Sequence, residues 1–422
     1  MSKYKLCEIG FFKNGLNFSA DKVDSGCKII GIPDFGDKYV ANIDGLKEIN
    51  SEIVTSDYYL KENDILLVRS NGNKNLVGRS MIIGEINEPV SFSGFCIRFR
   101  VTNNQVLPLY VLYLLKSPLF RKLFSNTQQT SISNLNQDIL GNIEFDIPTL
   151  NEQHKIVEIL HSITLKIETN EKINDNLLKQ FNTIYNYWFT QFDFPCSNNS
   201  SYNHSGGAMI WSEQLKKNIP CGWQVLKVSQ CINRIATGLN PRDNFILGHG
   251  YIKYITVKNL TTSGTLDFTG CDTINEEART LIHKRSDIQV GDILFASIAP
   301  LGRCYLIQTA PDNWDINESV FSIRPNTELV TSEYLYAYFV SEAFIRMATS
   351  SSTGSIFKGI RINTLLDSLI IVPPFDILQK FTTVCAPLLK KRALVCSEIE
   401  TLTNIRNWLL PMLMNGQATI AD

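Results

Sequence analysis

No run of about eighteen apolar residues occurs in the 422-residue chain, and the opening MSKYKLCEIG has no apolar signal core, so neither membrane insertion nor secretion is expected and the cytoplasm is the default compartment. Cysteine pairing is equally absent. The ten cysteines include no Cys-x-x-Cys pair and the five histidines lie far apart, which speaks against a zinc site and a disulfide framework and predicts buried free thiols. There is no Walker A loop to drive translocation, and Gly248-His249-Gly250 reads as an isolated turn rather than part of a glycine-rich cofactor loop. No cofactor and no metal are expected.

Net charge is nearly absent too, at -1. Residues 1–150 hold 16 basic and 16 acidic side chains, and residues 211–374 hold 15 of each. The charges are nonetheless unevenly placed. Between Glu88 and Asp138 no acidic residue stands, while Arg98, Arg100, Lys116, Arg121 and Lys122 do; Asp64 to Glu85 encloses only Arg69, Lys74 and Arg79, and Glu342 to Asp367 only Arg346, Lys358 and Arg361. Local basic patches of this kind can follow phosphates in a neutral protein, or be solvated faces with no partner.

What is present is a repetition. Gly15-Leu16-Asn17 is answered by Gly238-Leu239-Asn240, Asp64-Ile65-Leu66 by Asp292-Ile293-Leu294, Ser131-Ile132 by Ser355-Ile356 and Pro148 by Pro373, in the same order at offsets of 223 to 228. LPLYVLYLLKSPLFRKLF likewise corresponds to TSEYLYAYFVSEAFIRMA. These landmarks predict a tandem duplication. Each repeat opens on short strand-like runs such as CKIIGIPDF, DILLVRS, SMIIGEI and GFCIRFRV and closes on a helical segment. The fold class is mixed α/β (α+β), a pseudo-twofold repeat of two similar globular domains separated by two long helices. The boundaries are 1–148 and 215–374 for the domains, 149–196 and 375–422 for the helices, and 197–214 for a linker.

Both helices are announced by punctuation. Pro148 keeps Ile147 extended and Thr149 with Glu152 forms a capping box; after Pro373 and Pro374, Asp376 and Gln379 stand in the same relation. From Ile156, steps of four and three reach Leu160, Ile163, Ile167, Asn170, Asn174, Leu177, Phe181, Ile184 and Trp188; the second seam runs through Ile377, Phe381, Val384, Leu388, Lys391, Val395, Glu398, Leu402, Ile405 and Leu409. Eight of ten positions in each are apolar, as a heptad pairing seam requires. Antiparallel pairing would put Asn170 and Asn174 opposite Lys391 and Glu398 in one polar layer, while Pro387 should kink the second helix or split it after Ala386. A helix from Asn151 to Asp193 would span on the order of 65 Å. As a spacer for two readers it suits a duplex whose turn is roughly 34 Å.

The helix start PTLNEQHKIVEIL, the run NDNLLKQFNTIYNYWFTQFDFP, the segment SGGAMIWSEQLKKNIPCGWQVLKV and the C-terminal LLPMLMNGQ together resemble the specificity subunits of type I restriction-modification systems, over the whole chain. The resemblance implies two target-recognition domains, each reading one half of a split asymmetric DNA sequence, and two helices that dock two adenine-N6 methylation subunits, which two motor-nuclease restriction subunits can join. One departure is that the first repeat lacks its own Pro-x-Gly-Trp element and starts directly at KYKLCEIG. No catalytic residue is expected. Val372-Pro373-Pro374-Phe375 resembles the Asn/Asp-Pro-Pro-Tyr/Phe element of adenine-N6 methyltransferases, but Val372 lacks the polar acceptor; Pro311-Asp312 and Glu318 are similar to a nuclease element whose lysine is missing. A related subunit of an enzyme that cuts on both sides of its site, and a coiled-coil scaffold that binds no DNA, are the alternatives.

Base edges are read by side chains that donate and accept at fixed geometry. Ser125 to Gln137, with Gln128, Gln129, Thr130 and Ser131, is an uncharged hydrogen-bonding stretch just after Arg121 and Lys122, and it is answered by Ala348 to Asn363 with Ser351, Thr353, Ser355, Lys358 and Arg361. The expectation is a phosphate-fixing helix end that presents a base-reading loop. A second candidate is RSNGNKNLVGR, with Arg69, Asn71, Lys74, Asn75 and Arg79, whose counterpart SIAPLGR keeps Arg303. Lys253, Thr256, Lys258 and Asn259 are further candidates. Tyr185 and Phe189, off the heptad seam, are the candidate anchors for a methylation subunit.

Overall fold

The computed structural model describes residues 2–18, 26–36, 38–73, 76–126, 135–196, 200–298, 300–350 and 359–420. They form two compact units, Met1–Glu168 with Glu400–Asp422, and Thr169–Ile399. The mixed α/β class is observed. Each unit takes one end of each long helix, a partition that differs from the linear order of domain then helix.

Unit 1 runs β1 (Ser2–Lys5), α1 (Leu6–Ile9), β2 (Gly10–Asn14), β3 (Gly26–Ile30), β4 (Lys47–Asn50), β5 (Ile65–Val68), β6 (Ser80–Ile82), β7 (Val90–Phe92), β8 (Cys96–Val101), α2 (Pro108–Lys116), α3 (Pro118–Asn126), α4 (Gln137–Gly141), β9 (Glu144–Ile147) and the start of α5 (Leu150–Tyr185). Its sheets have the orders β2-β8-β5-β6, β4-β3-β7 and β1-β9. In the first sheet every pair is antiparallel, whereas β3 pairs β7 in parallel, Lys28 opposite Val90. All four residues of β5 are buried. Ile65 and Leu67 face the cluster that holds α2, and Leu66 and Val68 face a second cluster with Ile30 and Phe92. A strand covered on both faces reads as an unbroken apolar run, which is why DILLV lacks alternation.

Unit 2 repeats this plan. After the hairpin β10 (Met209–Ser212) and β11 (Lys217–Pro220) come β12 (Gln224–Lys227), β13 (Ile232–Thr237), β14 (Ile252–Ile255), β15 (Asp272–Ile274), α6 (Glu276–Ser286), β16 (Ile293–Ala296), β17 (Cys304–Leu306), β18 (Trp314–Ile316), β19 (Val320–Pro325), α7 (Ser332–Val340), α8 (Glu342–Ser350), α9 (Ile362–Leu366), β20 (Leu369–Val372) and α10 (Phe375–Met414). The sheets are β13-β19-β16-β17, β15-β14-β18 and β12-β20. β14 pairs β18 in parallel, as β3 pairs β7.

The landmarks of the repeat have structural causes. Asp64 and Asp292, each 1% exposed, stand just before the doubly covered strands and ion-pair with Arg100 at 2.6 Å and Arg324 at 2.9 Å. Each carboxylate also accepts a backbone N–H three residues back, from Lys61 at 2.8 Å and Gln289 at 3.0 Å. Gly15 and Gly238 are required by close approach, since a Cβ would overlap the carbonyl of Ser93 or Ile316. Gly248 and Gly250, at φ +83° and +100°, form the expected turn. Five cysteines, Cys27, Cys96, Cys231, Cys304 and Cys385, are buried free thiols; desolvation pushes Cys96 and Cys385 up to about 12.

The capping box at the head of α5 is formed. Thr149 N–H donates to Glu152 Oε2 at 2.9 Å, and Glu152 N–H donates to Thr149 Oγ1 at 3.4 Å. The hydrogen bonds from Thr149 hold the Glu152 carboxyl below its usual range. Thr149→Ala is expected to lower the stability of unit 1 by about 1 kcal/mol, read as a urea midpoint shift at unchanged slope. An unshifted midpoint would show that α5 needs no cap. At α10 the helix begins at Phe375, and Ile377 N–H donates to Pro374 O at 3.0 Å, so Pro374 holds the cap position and Asp376 lies inside the first turn.

Of the two outcomes expected at Pro387, a kink or a split after Ala386, the split does not occur. α10 is continuous for 40 residues, although Pro387 offers no N–H to the carbonyl of Thr383. Buried packing on both sides of that position, at Cys385 and Leu389, holds the helix through it. The seam of α10 also differs from the heptad reading. Its buried face runs Ile377, Phe381, Cys385, Leu389, Arg392 and Val395, while Val384 is 46% exposed and Lys391 and Glu398 are exposed. Three steps of four followed by two of three follow the natural 3.6-residue turn over this length, where strict heptads drift. Asn170 and Asn174 are buried as expected, and Asn174 Oδ1 accepts from Cys396 Sγ at 3.3 Å. The two helices run antiparallel here, since Phe181 packs on Phe381 while Asn174 meets Cys396.

Candidate nucleic-acid interface

In unit 1 the hairpin β5–β6 carries the RSNGNKNLVGR loop at its tip. Val68 N–H donates to Arg79 O at 2.9 Å and Gly78 N–H to Val68 O at 3.0 Å, with Gly78 at φ +80°, a conformation that favours glycine. Asn71 Oδ1 accepts the Asn73 N–H at 2.8 Å, so this side chain organises the loop from within. Lys74 and Asn75 lie outside the described residues.

The second candidate stretch returns to the same place. Leu135 N–H donates to Arg69 O at 2.8 Å, which ties the chain leaving the 127–134 segment to the base of the hairpin tip. Gln128, Gln129, Thr130 and Ser131 lie outside the described residues. Arg121 and Lys122, both exposed, sit on α3 just before that segment.

Unit 2 has the same junction. Ala296 N–H donates to Arg303 O at 2.9 Å, Gly302 has φ +87°, and Ile360 N–H donates to Ser297 O at 2.9 Å. Thus Ser297 occupies the position of Arg69 and Ile360 that of Leu135. Ser351, Thr353, Ser355 and Lys358 lie outside the described residues, and Arg361 is exposed at the head of α9. Arg303 turns inward, Nε donating to Pro300 O at 3.2 Å and Nη1 to Leu260 O at 3.4 Å, and desolvation lowers its pKa.

Several expected contacts are engaged within the fold. Asn259 is 3% exposed; its Oδ1 accepts from Thr256 N–H and Thr256 Oγ1, both at 2.9 Å, and its Nδ2 donates to Asp267 O at 3.0 Å. Thr256 and Asn259 therefore shape a turn, and only Lys258 is exposed while Lys253 is half-buried beside them. Arg98 is 2% exposed and donates to Asp57 O at 2.9 Å. Lys116 donates to Lys38 O at 3.1 Å and lies over the Tyr39 ring. With Arg100 bound to Asp64, three members of the acid-free stretch are structural, and Arg121 and Lys122 are its exposed pair.

Tyr185 and Phe189 are a correction. They are 8% and 5% exposed, in an aromatic cluster of unit 2 where Phe189 packs on Phe381 at 4.9 Å and on Tyr334 at 4.7 Å, so neither is available to anchor another protein. The cause is the π turn Asn186–Thr190, which continues α5 and adds a residue to the turn, bringing Trp188 and Phe189 inward together. Among the described residues, no three potential metal ligands cluster, and no helix is long and apolar enough to cross a membrane.

Sequence reasoning passed over the turn Ser93–Cys96, which touches the hairpin tip in unit 1: Arg69 N–H donates to Phe95 O at 2.8 Å. No sequence signal marked it, because the contact joins strands 26 residues apart. Residues 2–179 match the family described as the type I restriction modification DNA specificity domain. That stretch of the chain, the first of its two repeats and most of α5, carries the specificity domain of type I restriction-modification systems. The chain is 23% identical to the MjaIX specificity subunit of Methanocaldococcus jannaschii, across 76% of this chain and 72% of that one. To the HindI specificity subunit of Haemophilus influenzae it is 21% identical, across 74% and 78% of the two chains. The crystal structure of a type I restriction-modification S subunit from M. genitalium shares the fold, with TM-score 0.60, 15% identity and coverage of 98% and 96%. The family match covers unit 1's sheets and much of α5; unit 2 carries the same three sheets in the same order, so its fold is like that of the matched unit.

Proposed function

We propose that the chain is a non-catalytic specificity subunit, that each unit reads one half of a bipartite DNA sequence, and that the long helices dock two adenine-N6 methylation subunits, to which two motor-nuclease restriction subunits can add, in the cytoplasm. The carrying observation is the repeated junction: in both units the hairpin tip and the end of a polar segment meet through one backbone hydrogen bond, Leu135 to Arg69 and Ile360 to Ser297. Polar side chains at such a hairpin tip offer donors and acceptors for base edges, and the exposed Arg121 and Lys122 of α3 bring positive charge suited to phosphates. The side chains at the tips differ between the units, Arg69 against Ser297, so two different half-sites are expected.

The test is to express the chain with a methylation subunit of its system in a methylation-free host and to map N6-methyladenine by single-molecule sequencing. Two short half-sites across a fixed unread gap are expected. Scattered or absent methylation from a soluble complex would instead favour a scaffold that does not read DNA.

A further inference from the structure

The turn Ser93–Cys96 in unit 1 is held from several sides. Cys96 N–H donates to Ser93 O at 2.8 Å, and Gly94 N–H donates to Leu16 O at 2.8 Å. A Cβ on Gly94 would overlap Asn17, so the turn lies directly against the Gly15-Leu16-Asn17 landmark. At its corner Phe95 is 60% exposed, although its neighbour Cys96 is fully buried. Single exposed apolar residues are common and need no explanation. Phe95 differs in being fixed beside the candidate reading tip: its carbonyl accepts the Arg69 N–H at 2.8 Å, and Gly94 O accepts from Arg69 Nη1 at 3.4 Å. Arg69 Nε is buried with no partner among the described residues. A guanidinium with spare donors and a rigidly presented phenyl ring therefore share one corner.

Unit 2 builds the same corner from different side chains. Ser297 N–H donates to Ser319 O at 3.2 Å, and Ser297 Oγ donates to that carbonyl at 2.7 Å. The backbone slot that holds Arg69 and Phe95 in one unit holds Ser297 and Ser319 in the other.

We propose that Phe95 is a specificity-determining residue of the first unit, taking the methyl group of a thymine by apolar contact, and that the second unit makes no such contact at Ser319. The inference rests on the DNA-reading function proposed above. Thymine is the base whose major-groove edge carries a methyl group, and a phenyl ring that covers it discriminates against cytosine, which presents an amino group and no methyl. The ring contributes no hydrogen bond, so its loss should relax one position without abolishing binding.

The experiment compares methylation maps of the assembled complex carrying the wild-type chain, Phe95→Ala, Phe95→Leu or Ser319→Phe. Phe95→Ala is expected to relax a single T·A position in one half-site and leave the other half intact, with Phe95→Leu restoring most of the preference. Ser319→Phe should change the opposite half-site only. In binding assays with purified complex, deoxyuridine at the relaxed position should weaken the wild type by roughly 4-fold, the worth of one buried methyl group, and leave Phe95→Ala unaffected. A wild-type split motif that Phe95→Ala leaves unchanged, weakens uniformly, or relaxes at a G·C pair overturns the inference while the two-reader function stands. A wild type without a split motif overturns both.

Discussion

Asp64→Ala should cost unit 1 about 3 to 5 kcal/mol, the loss expected when one partner of a buried ion pair is removed. Asp64 Oδ1 accepts from Arg100 Nε at 2.6 Å, its Oδ2 accepts from Arg100 Nη2 at 2.6 Å, and the same Oδ2 accepts the Lys61 N–H at 2.8 Å. With the carboxylate gone, the half-buried Arg100 guanidinium loses its counter-charge and the Lys61 N–H its acceptor, just where the doubly covered β5 begins. Hydrogen exchange gives the location: amides of Ile65–Val68 should lose protection while those of Ile293–Ala296 keep theirs. Asp292→Ala removes the 2.9 Å partner of Arg324 but leaves it Asp287 at 3.0 Å, so it should give the mirror pattern of exchange with a smaller loss. Equal loss of protection in both strands, or none, would remove the ion pair from the list of what holds each unit.

Phe381→Ala is expected to destabilise unit 2 by about 3 to 5 kcal/mol, the range for deleting a buried ring that its surroundings cannot close over. Phe381 is fully buried, with its ring 4.9 Å from that of Phe189, 5.8 Å from Trp188, 6.1 Å from Phe181 and 6.5 Å from Tyr334. These rings come from α5, the π turn and α7, so one truncation loosens three elements at once. Phe381→Leu, which keeps most of the apolar volume, should lose much less. Urea unfolding followed by tryptophan fluorescence reads both, Trp188 lying against the ring. A loss for Phe381→Ala of about 1 kcal/mol or less would mean that the cluster repacks and does not join the helices.

Much of this architecture is legible in the chain because its causes are local or repeated. The capping box at Thr149 and Glu152 involves residues three apart, and the strand DILLV announces burial on both faces by its unbroken apolar run. The landmarks Gly15-Leu16-Asn17 and Asp64-Ile65-Leu66 recur because the same close approach and the same ion pair are built twice. The helix seams were less legible. Heptad counting selects Val384 and Leu388, whereas the chain turns by 3.6 residues and buries Cys385 and Leu389. The π turn has no mark in local sequence pattern, and it moves Phe189 from the expected docking face into the core.

By itself the sequence determined the duplication, the mixed fold class, the helix start at α5 and the lack of ATP-binding and methyl-transfer motifs, all of which depend on residues within a few positions of one another or on the chain's likeness to itself. Tertiary structure alone decided which polar residues are free to face a ligand. Arg98, Arg100 and Asn259 look like Arg121 and Lys258 in a sequence; they differ because Asp57, Asp64 and Asp267, 41, 36 and 8 residues away, meet them in the fold. A buried donor must find an acceptor, and where that acceptor lies is set by how strands pair and turns close, not by the residues on either side of it.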